Sequence, residues 1–169
     1  MKYLTLITGG QRSGKSSFAQ NLAEALSEEP VYLATARKWD EDFENRIKRH
    51  QADRGENWTT IEEEKEIGML DLNGKTVVLD CITLWLTNIY HDHQYNVEAS
   101  LQYAIEQWRL LKEQDATFII VSNELGMGVH PEKEVARKFA DLQGWMNQII
   151  GKTANELYLM VAGVPMKIK

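Results

Sequence analysis

The sequence predicts an α/β protein, a mainly parallel sheet with helices on both faces and an antiparallel edge at its C-terminal end. Three observations carry that expectation. Short β-branched and apolar runs alternate with longer stretches of helical periodicity, the pattern of a sheet wound with helices. A glycine-rich turn stands where the first run gives way to the first helical stretch. The last two runs are joined through Gly163-Val164-Pro165, a link that reads as a hairpin.

Tyr3 to Thr8 is apolar, stops at two glycines and reads as a buried strand. From Lys15 to Leu26, the residues Phe18, Ala19, Leu22, Ala23 and Leu26 recur at helical spacing. Val31 to Ala34 is a second strand. Asp40 to Asp53 reads as a charged helix with Phe43, Ile47 and His50 on one face, and Trp58 to Ile61 as a weak strand. Thr76 to Cys81 is a strong strand carrying Asp80 near its end, followed by a helical segment from Thr83 to Tyr90. Glu98 to Lys112 is helical, with Leu101, Ala104, Ile105, Trp108 and Leu111 as its buried stripe. Thr117 to Val121 is a strand. Val135 to Ile150 is a helix facing inward through Val135, Phe139, Leu142, Met146 and Ile149 or Ile150. Leu157 to Val161 and Met166 to Ile168 close the chain as a hairpin.

Composition narrows the class. At 169 residues the chain has the length of one domain, and its 43% hydrophobic and 26% charged content is that of a globular protein, not a disordered one. A net charge of −6 argues against a general nucleic-acid binder, which needs a basic surface. The one cysteine, Cys81, cannot form an internal disulfide, which fits a reducing cytosol. No apolar run approaches the roughly 20 residues of a membrane-spanning helix, and the first residues lack the pattern of a secretory signal. The expectation is a single cytoplasmic domain over residues 1–169.

The sharpest local signal is Gly9-Gly10-Gln11-Arg12-Ser13-Gly14-Lys15-Ser16, a match to G-x-x-x-x-G-K-[ST] lying between a strand and a helix. Glycines let successive backbone N–H groups turn inward, forming an anion nest at the positive end of the helix. Lys15 supplies a point charge for β- and γ-phosphates, and the Ser16 hydroxyl is a ligand for Mg²⁺. Such a loop also needs an acid at the end of another strand. Asp80 is the candidate for that metal or nucleotide role, against the alternative of a helix cap. These features fit a kinase, an ATPase or a GTP switch equally.

His50 stands among Arg46, Arg49 and Arg54 on the charged helix. Cationic neighbours favour its neutral imidazole, which is a nucleophile, while guanidinium groups can hold a polyphosphate beside it. A half-buried histidine on an ordinary amphipathic helix is the equal alternative. His91 and His93 read as loop residues without a third metal ligand. Asn123 and Glu124 follow a strand end, where ligands of open α/β sheets collect.

The motifs GGQRSGKS, YLATA at Tyr32 to Ala36, RIKRHQADR around His50 and W-x-x-x-E at Trp58 and Glu62 occur in that order. LDCITLWLTN from Leu79 to Asn88, SNELGMGVHPE from Ser122 to Glu132 and the ending VAGVPMKIK follow them. As a set they resemble the bifunctional adenosylcobinamide kinase / adenosylcobinamide-phosphate guanylyltransferase family of cobalamin biosynthesis, over essentially the whole chain. The resemblance implies a RecA-like P-loop fold and a homotrimer. It implies phosphorylation of adenosylcobinamide by ATP or GTP with Mg²⁺, then GMP transfer from GTP through a histidine to adenosylcobinamide phosphate. It assigns His50 and Lys15 to catalysis, and Gly9 to Ser16, Ala34, Thr35, Ala36, Gln51, Ala52, Asp53, Arg54, Glu62 and Asp80 to the nucleotide. Ser16 and Asp80 would hold the metal, with Asp80 open between metal and nucleotide contact.

Overall fold

The computed structural model describes residues 1–37 and 55–169. The helix expected over Asp40 to Asp53, with His50 on it, lies outside the described residues. β1 (Tyr3–Gly9) leads through the glycine-rich turn into α1 (Lys15–Leu26). β2 (Val31–Ala34), β3 (Thr59–Glu62), a 3-10 turn at Ile67–Met69 and β4 (Thr76–Asp80) come next. They are followed by α2 (Ile82–Asp92), α3 (Val97–Glu113), β5 (Thr117–Val121), α4 (Glu134–Thr153), β6 (Glu156–Val161) and β7 (Val164–Lys167).

These strands form a seven-stranded sheet in the order β3-β2-β4-β5-β1-β6-β7. Every neighbouring pair is parallel except β6 and β7. The central strands read as unbroken apolar runs because both of their faces are covered. Leu4, Leu6, Val31, Leu33, Val77, Leu79, Phe118 and Ile120 point to the face packed by α2, α3 and α4, where Trp85, Trp108, Leu142 and Met146 are buried. Their alternates Ile7, Tyr32, Val78, Ile119 and Val121 meet Ala19 and Ala23 of α1 on the other face. The expected two-faced α/β sheet is observed, with three described helices on one side and one on the other.

The structure corrects four local expectations. β4 stops at Asp80, and Cys81 instead occupies the N-cap position of α2. The C-terminal hairpin turns at Ala162-Gly163, with Val161 opposite Val164, and β7 begins two residues earlier than Met166. Both turn residues have positive φ, +49° and +84°, the requirement of the tight two-residue turn whose twist suits a hairpin. Pro165 is tolerated within β7 because that strand is the sheet edge. Ile105 and Val135, expected to face inward, are instead exposed, because they lie at the margins of their helices' buried stripes.

Candidate functional site

A parallel sheet collects its strand ends on one side, and here that side gathers the motif residues. The loop from Gly9 to Ser16 follows β1, residues 34–37 follow β2, Glu62 ends β3, Asp80 ends β4 and Ser122-Asn123-Glu124 follow β5. With strands about 4.8 Å apart, the ends of β1 and β2 stand about 14 Å from each other across β5 and β4.

The glycine-rich loop is held in shape from two sides. Gly9 (φ +147°) and Gly14 (φ +93°) take backbone conformations that side chains rarely adopt. A Cβ on Gly9 would meet the Met160 carbonyl at 2.6 Å and Ser13 Oγ at 2.9 Å. The Gly163 N–H donates to the Ser13 carbonyl (3.0 Å), and the Glu124 N–H to the Gly9 carbonyl (3.1 Å). The hairpin turn and the β5 loop thus buttress opposite flanks. Lys15 opens α1 and is buried, its ammonium donating to the Gly10 carbonyl at 2.6 Å. Gly10, Gln11 and Arg12 face solvent, while Ser13 Oγ is buried without a hydrogen-bond partner. A buried hydroxyl left unpaired in the same loop as a lysine ammonium suits a loop built to receive an oxyanion.

Asp80 is half-buried, and its Oδ2 accepts from the Tyr32 hydroxyl at 2.9 Å. Cys81, next to it, has its thiol pushed up to about 12, first by burial and then by the Asp80 charge. Thr35 is fully buried; its hydroxyl donates to the Cys81 carbonyl (2.8 Å) and accepts from the Cys81 N–H (3.0 Å). That side chain is spent on latching β2 to β4. What the loop offers to a ligand is Ala34, Ala36 and Arg37.

Those residues line a cleft of about 400 Å³ together with Glu62, Glu63 and Glu64. Glu63 accepts from the N–H groups of Lys65 and Glu66, and Glu64 from Arg37 Nε at 2.6 Å. Glu62 makes no such bond among the described residues. Arg37 also grips Asp92 through both terminal nitrogens, at 2.9 and 3.0 Å. These bonds hold the Asp92 carboxyl well below the usual carboxylate range, with Arg37 the main cause and Lys65 next. They hold the Arg37 guanidinium above its own usual value, through Asp92 first and Glu64 second. A larger groove of about 660 Å³ between α3 and α4 is lined by Trp145, Lys138 and Leu101, but by no strand-end residue.

The structure therefore brings Gly9 to Ser16, Asp80 and the Ala34–Glu62 cleft to the C-terminal ends of the parallel strands. His50, Gln51, Ala52, Asp53 and Arg54, like Arg46 and Arg49, lie outside the described residues. Among the described residues no three of His, Cys, Asp and Glu cluster as a metal site. One carboxylate and one hydroxyl, Asp80 and Ser16, fit an ion that keeps most of its waters and arrives with polyphosphate, as Mg²⁺ does. Sequence reasoning missed Tyr32, Arg37, Asn88 and Asp92. For Asn88 the signal was its place at the end of LDCITLWLTN, and for Asp92 a polar residue recurring each turn of ITLWLTNIYHD.

Comparison with known proteins agrees with these motifs. The family model described as cobinamide kinase / cobinamide phosphate guanyltransferase matches residues 5–168. The bifunctional adenosylcobalamin biosynthesis protein CobP of Pseudomonas aeruginosa is 36% identical over 169 residues, 97% of this chain and 96% of that protein. The bifunctional adenosylcobalamin biosynthesis protein CobU of Escherichia coli is 34% identical over 181 residues, 98% of this chain and 99% of that protein. Among solved structures, flagellar accessory protein FlaH from Methanocaldococcus jannaschii aligns with 99% of this chain and 78% of that chain. Its TM-score is 0.49 at 15% identity, and nothing about activity follows from it. With a family match over residues 5–168 and relatives above one-third identity over nearly the whole chain, this chain belongs to the cobinamide kinase / cobinamide phosphate guanyltransferase family.

Proposed function

We propose that this chain is a bifunctional transferase: it phosphorylates adenosylcobinamide and then guanylylates the product. The observation that carries the reading is the phosphate loop, with Lys15 folded into it and two flanking loops bracing it. In the kinase step the cobinamide hydroxyl oxygen attacks the γ-phosphorus of ATP or GTP. The bond to the bridging oxygen breaks, releasing nucleoside diphosphate and a proton. Lys15 and the N–H groups of Gly9 to Ser16 offset charge on the phosphate oxygens.

In the transferase step the neutral imidazole of His50 attacks the α-phosphorus of GTP and pyrophosphate leaves. The phosphate of cobinamide phosphate then attacks the same phosphorus; the P–N bond breaks, the imidazole is regenerated and GDP-cobinamide forms. Passing through an uncharged nucleophile avoids a direct first encounter of two polyanions. Arg46, Arg49 and Arg54 supply positive charge near His50, and Glu62 accepts from the base's N–H groups in the Ala34–Glu62 cleft. Gln51, Ala52 and Asp53 belong to the same nucleotide contact.

Ser16 and Asp80 would hold Mg²⁺, which when bound with nucleotide neutralises phosphate charge. The same reading carries a homotrimer and a cytoplasmic location. No helix among the described residues is long and apolar enough to cross a membrane. Intact mass spectrometry after mixing with MgGTP tests the reading directly. The parent chain is expected to gain one GMP and His50→Ala none; label on the His50→Ala chain, or free phosphate as sole product, rejects it. Sedimentation velocity checks the trimer.

A further inference from the structure

Helix α2 carries a line of hydrogen-bonding side chains that meets the loops after β2 and β3. Trp85, Asn88 and Asp92 follow at i, i+3 and i+7, which aligns them on one helix face. Each is bonded to a loop that walls the cleft of Ala34, Arg37 and Glu62. The Trp85 Nε1–H donates to the Lys65 carbonyl at 2.9 Å. The Asn88 amide donates to the carbonyls of Thr35 (2.8 Å) and Glu64 (3.0 Å), tying the loop after β2 to the loop after β3. Asp92 ends the line, accepting from both terminal nitrogens of Arg37 and lying 2.7 Å from Lys65 Nζ. His91 also approaches it, with Nδ1 at 3.2 Å.

The three positions differ in kind. Trp85 and Asn88 are fully buried, so replacing either disturbs the core. Asp92 sits at the solvent edge, its side chain 27% exposed, and contributes little to packing. What it holds is Arg37, whose long side chain stands in the cleft wall between the two loops. An ungripped arginine samples many rotamers, whereas a planar two-point grip fixes both its plane and its direction. Glu64, on the opposite loop, accepts from the Nε–H, so the guanidinium is a strut between α2 and the β3 loop.

We propose that Asp92 is a positioning residue for the nucleotide cleft: it orients Arg37 and, through Arg37, sets the spacing of the loops after β2 and β3. This rests on the nucleotide reading above and goes beyond it, since Asp92 lies outside every phosphate-handling motif. A residue acting this way changes affinity far more than stability, and it acts only while Arg37 is present.

Asp92→Asn keeps the size and removes the charge. Titration of the full chain with a fluorescent N-methylanthraniloyl GTP measures binding without turnover. Binding is expected to weaken about tenfold, the loss of one charge-assisted pair. GMP loading at saturating GTP should stay within about twofold, with a melting temperature within about 4 °C of the parent. Asp92→Glu, which keeps the carboxylate, recovers most of the affinity. Arg37→Gln weakens binding to a similar extent, and adding Asp92→Asn on that background costs nothing more. Glu113→Gln breaks an exposed pair with Arg109 on α3 and leaves binding at the parental value.

Parental affinity in Asp92→Asn overturns the proposal, as do losses that add fully in the double variant. A fall in affinity matched by a collapse in melting temperature also overturns it. A parent chain that binds no analogue overturns the nucleotide reading and this proposal together. A parent that binds, beside an Asp92→Asn chain that binds equally well, overturns the proposal alone.

Discussion

The Tyr32 hydroxyl donates to Asp80 Oδ2 at 2.9 Å, linking the middle of β2 to the acid that ends β4. Ala34 pairs with Asp80 and Tyr32 with Val78, so phenol and carboxylate are diagonal neighbours on the α1 face of the sheet. The ring itself is buried against Trp58, edge to face, with centroids 6.4 Å apart. Tyr32→Phe keeps that packing and removes only the donor. The expected loss is about 1–2 kcal/mol in urea unfolding, with a rise in the Mg²⁺ concentration needed for half-maximal GMP loading. Unchanged stability together with an unchanged Mg²⁺ requirement would show that the phenol does not steady Asp80.

Two adjacent glycines should behave oppositely. Gly9→Ala places a Cβ 2.6 Å from the Met160 carbonyl oxygen at a φ of +147°, whereas a Cβ on Gly10 meets nothing within 4 Å. Gly9→Ala is expected to lose about 2–3 kcal/mol of stability, and its GTP binding with it. Gly10→Ala should unfold at the parental urea midpoint. Equal midpoints for both variants would contradict the close approach of β6 to the loop.

Cys81 should be inert while the protein is folded. Its thiol is buried and pushed up to about 12, so almost no thiolate is present at pH 8. Iodoacetamide at pH 8 is expected to leave the native chain unmodified for hours and to alkylate it fully in guanidinium. Rapid labelling of the native chain, read by mass spectrometry, would refute this.

The Asp92 cluster predicts an acid limb in stability. Its folded carboxyl titrates below the ordinary carboxylate range, chiefly because of Arg37. The unfolded chain then binds the proton more readily, so the contribution is complete above the unfolded value of about 3.9. It is lost as pH falls through the folded value. Parent and Asp92→Asn chains should therefore differ in urea midpoint at pH 7, and the gap should begin to narrow only as pH falls below about 4. A gap that widens on acidification would reverse the sign and reject the assignment.

Much of this molecule is readable in one dimension because its signals are local. The apolar runs at Tyr3–Gly9, Thr76–Asp80 and Thr117–Val121 have strand composition and length. The spacing of Gly9, Gly14 and Lys15 follows from what an anion nest demands of a backbone. The hairpin boundary differs from the sequence expectation because Pro165 has the character of a turn residue, while the two positive-φ positions fall earlier, at Ala162 and Gly163.

What the amino-acid order determined by itself was the α/β class, the phosphate loop and the family to which its motifs point. Only the tertiary structure decided that Thr35 is latched to Cys81, that Tyr32 holds Asp80, and that Asp92 grips Arg37 across 55 positions of chain. Periodicity reports which face of an element is apolar. Partners brought together from distant strands are chosen by sheet order and register, which depend on the packing of the whole chain.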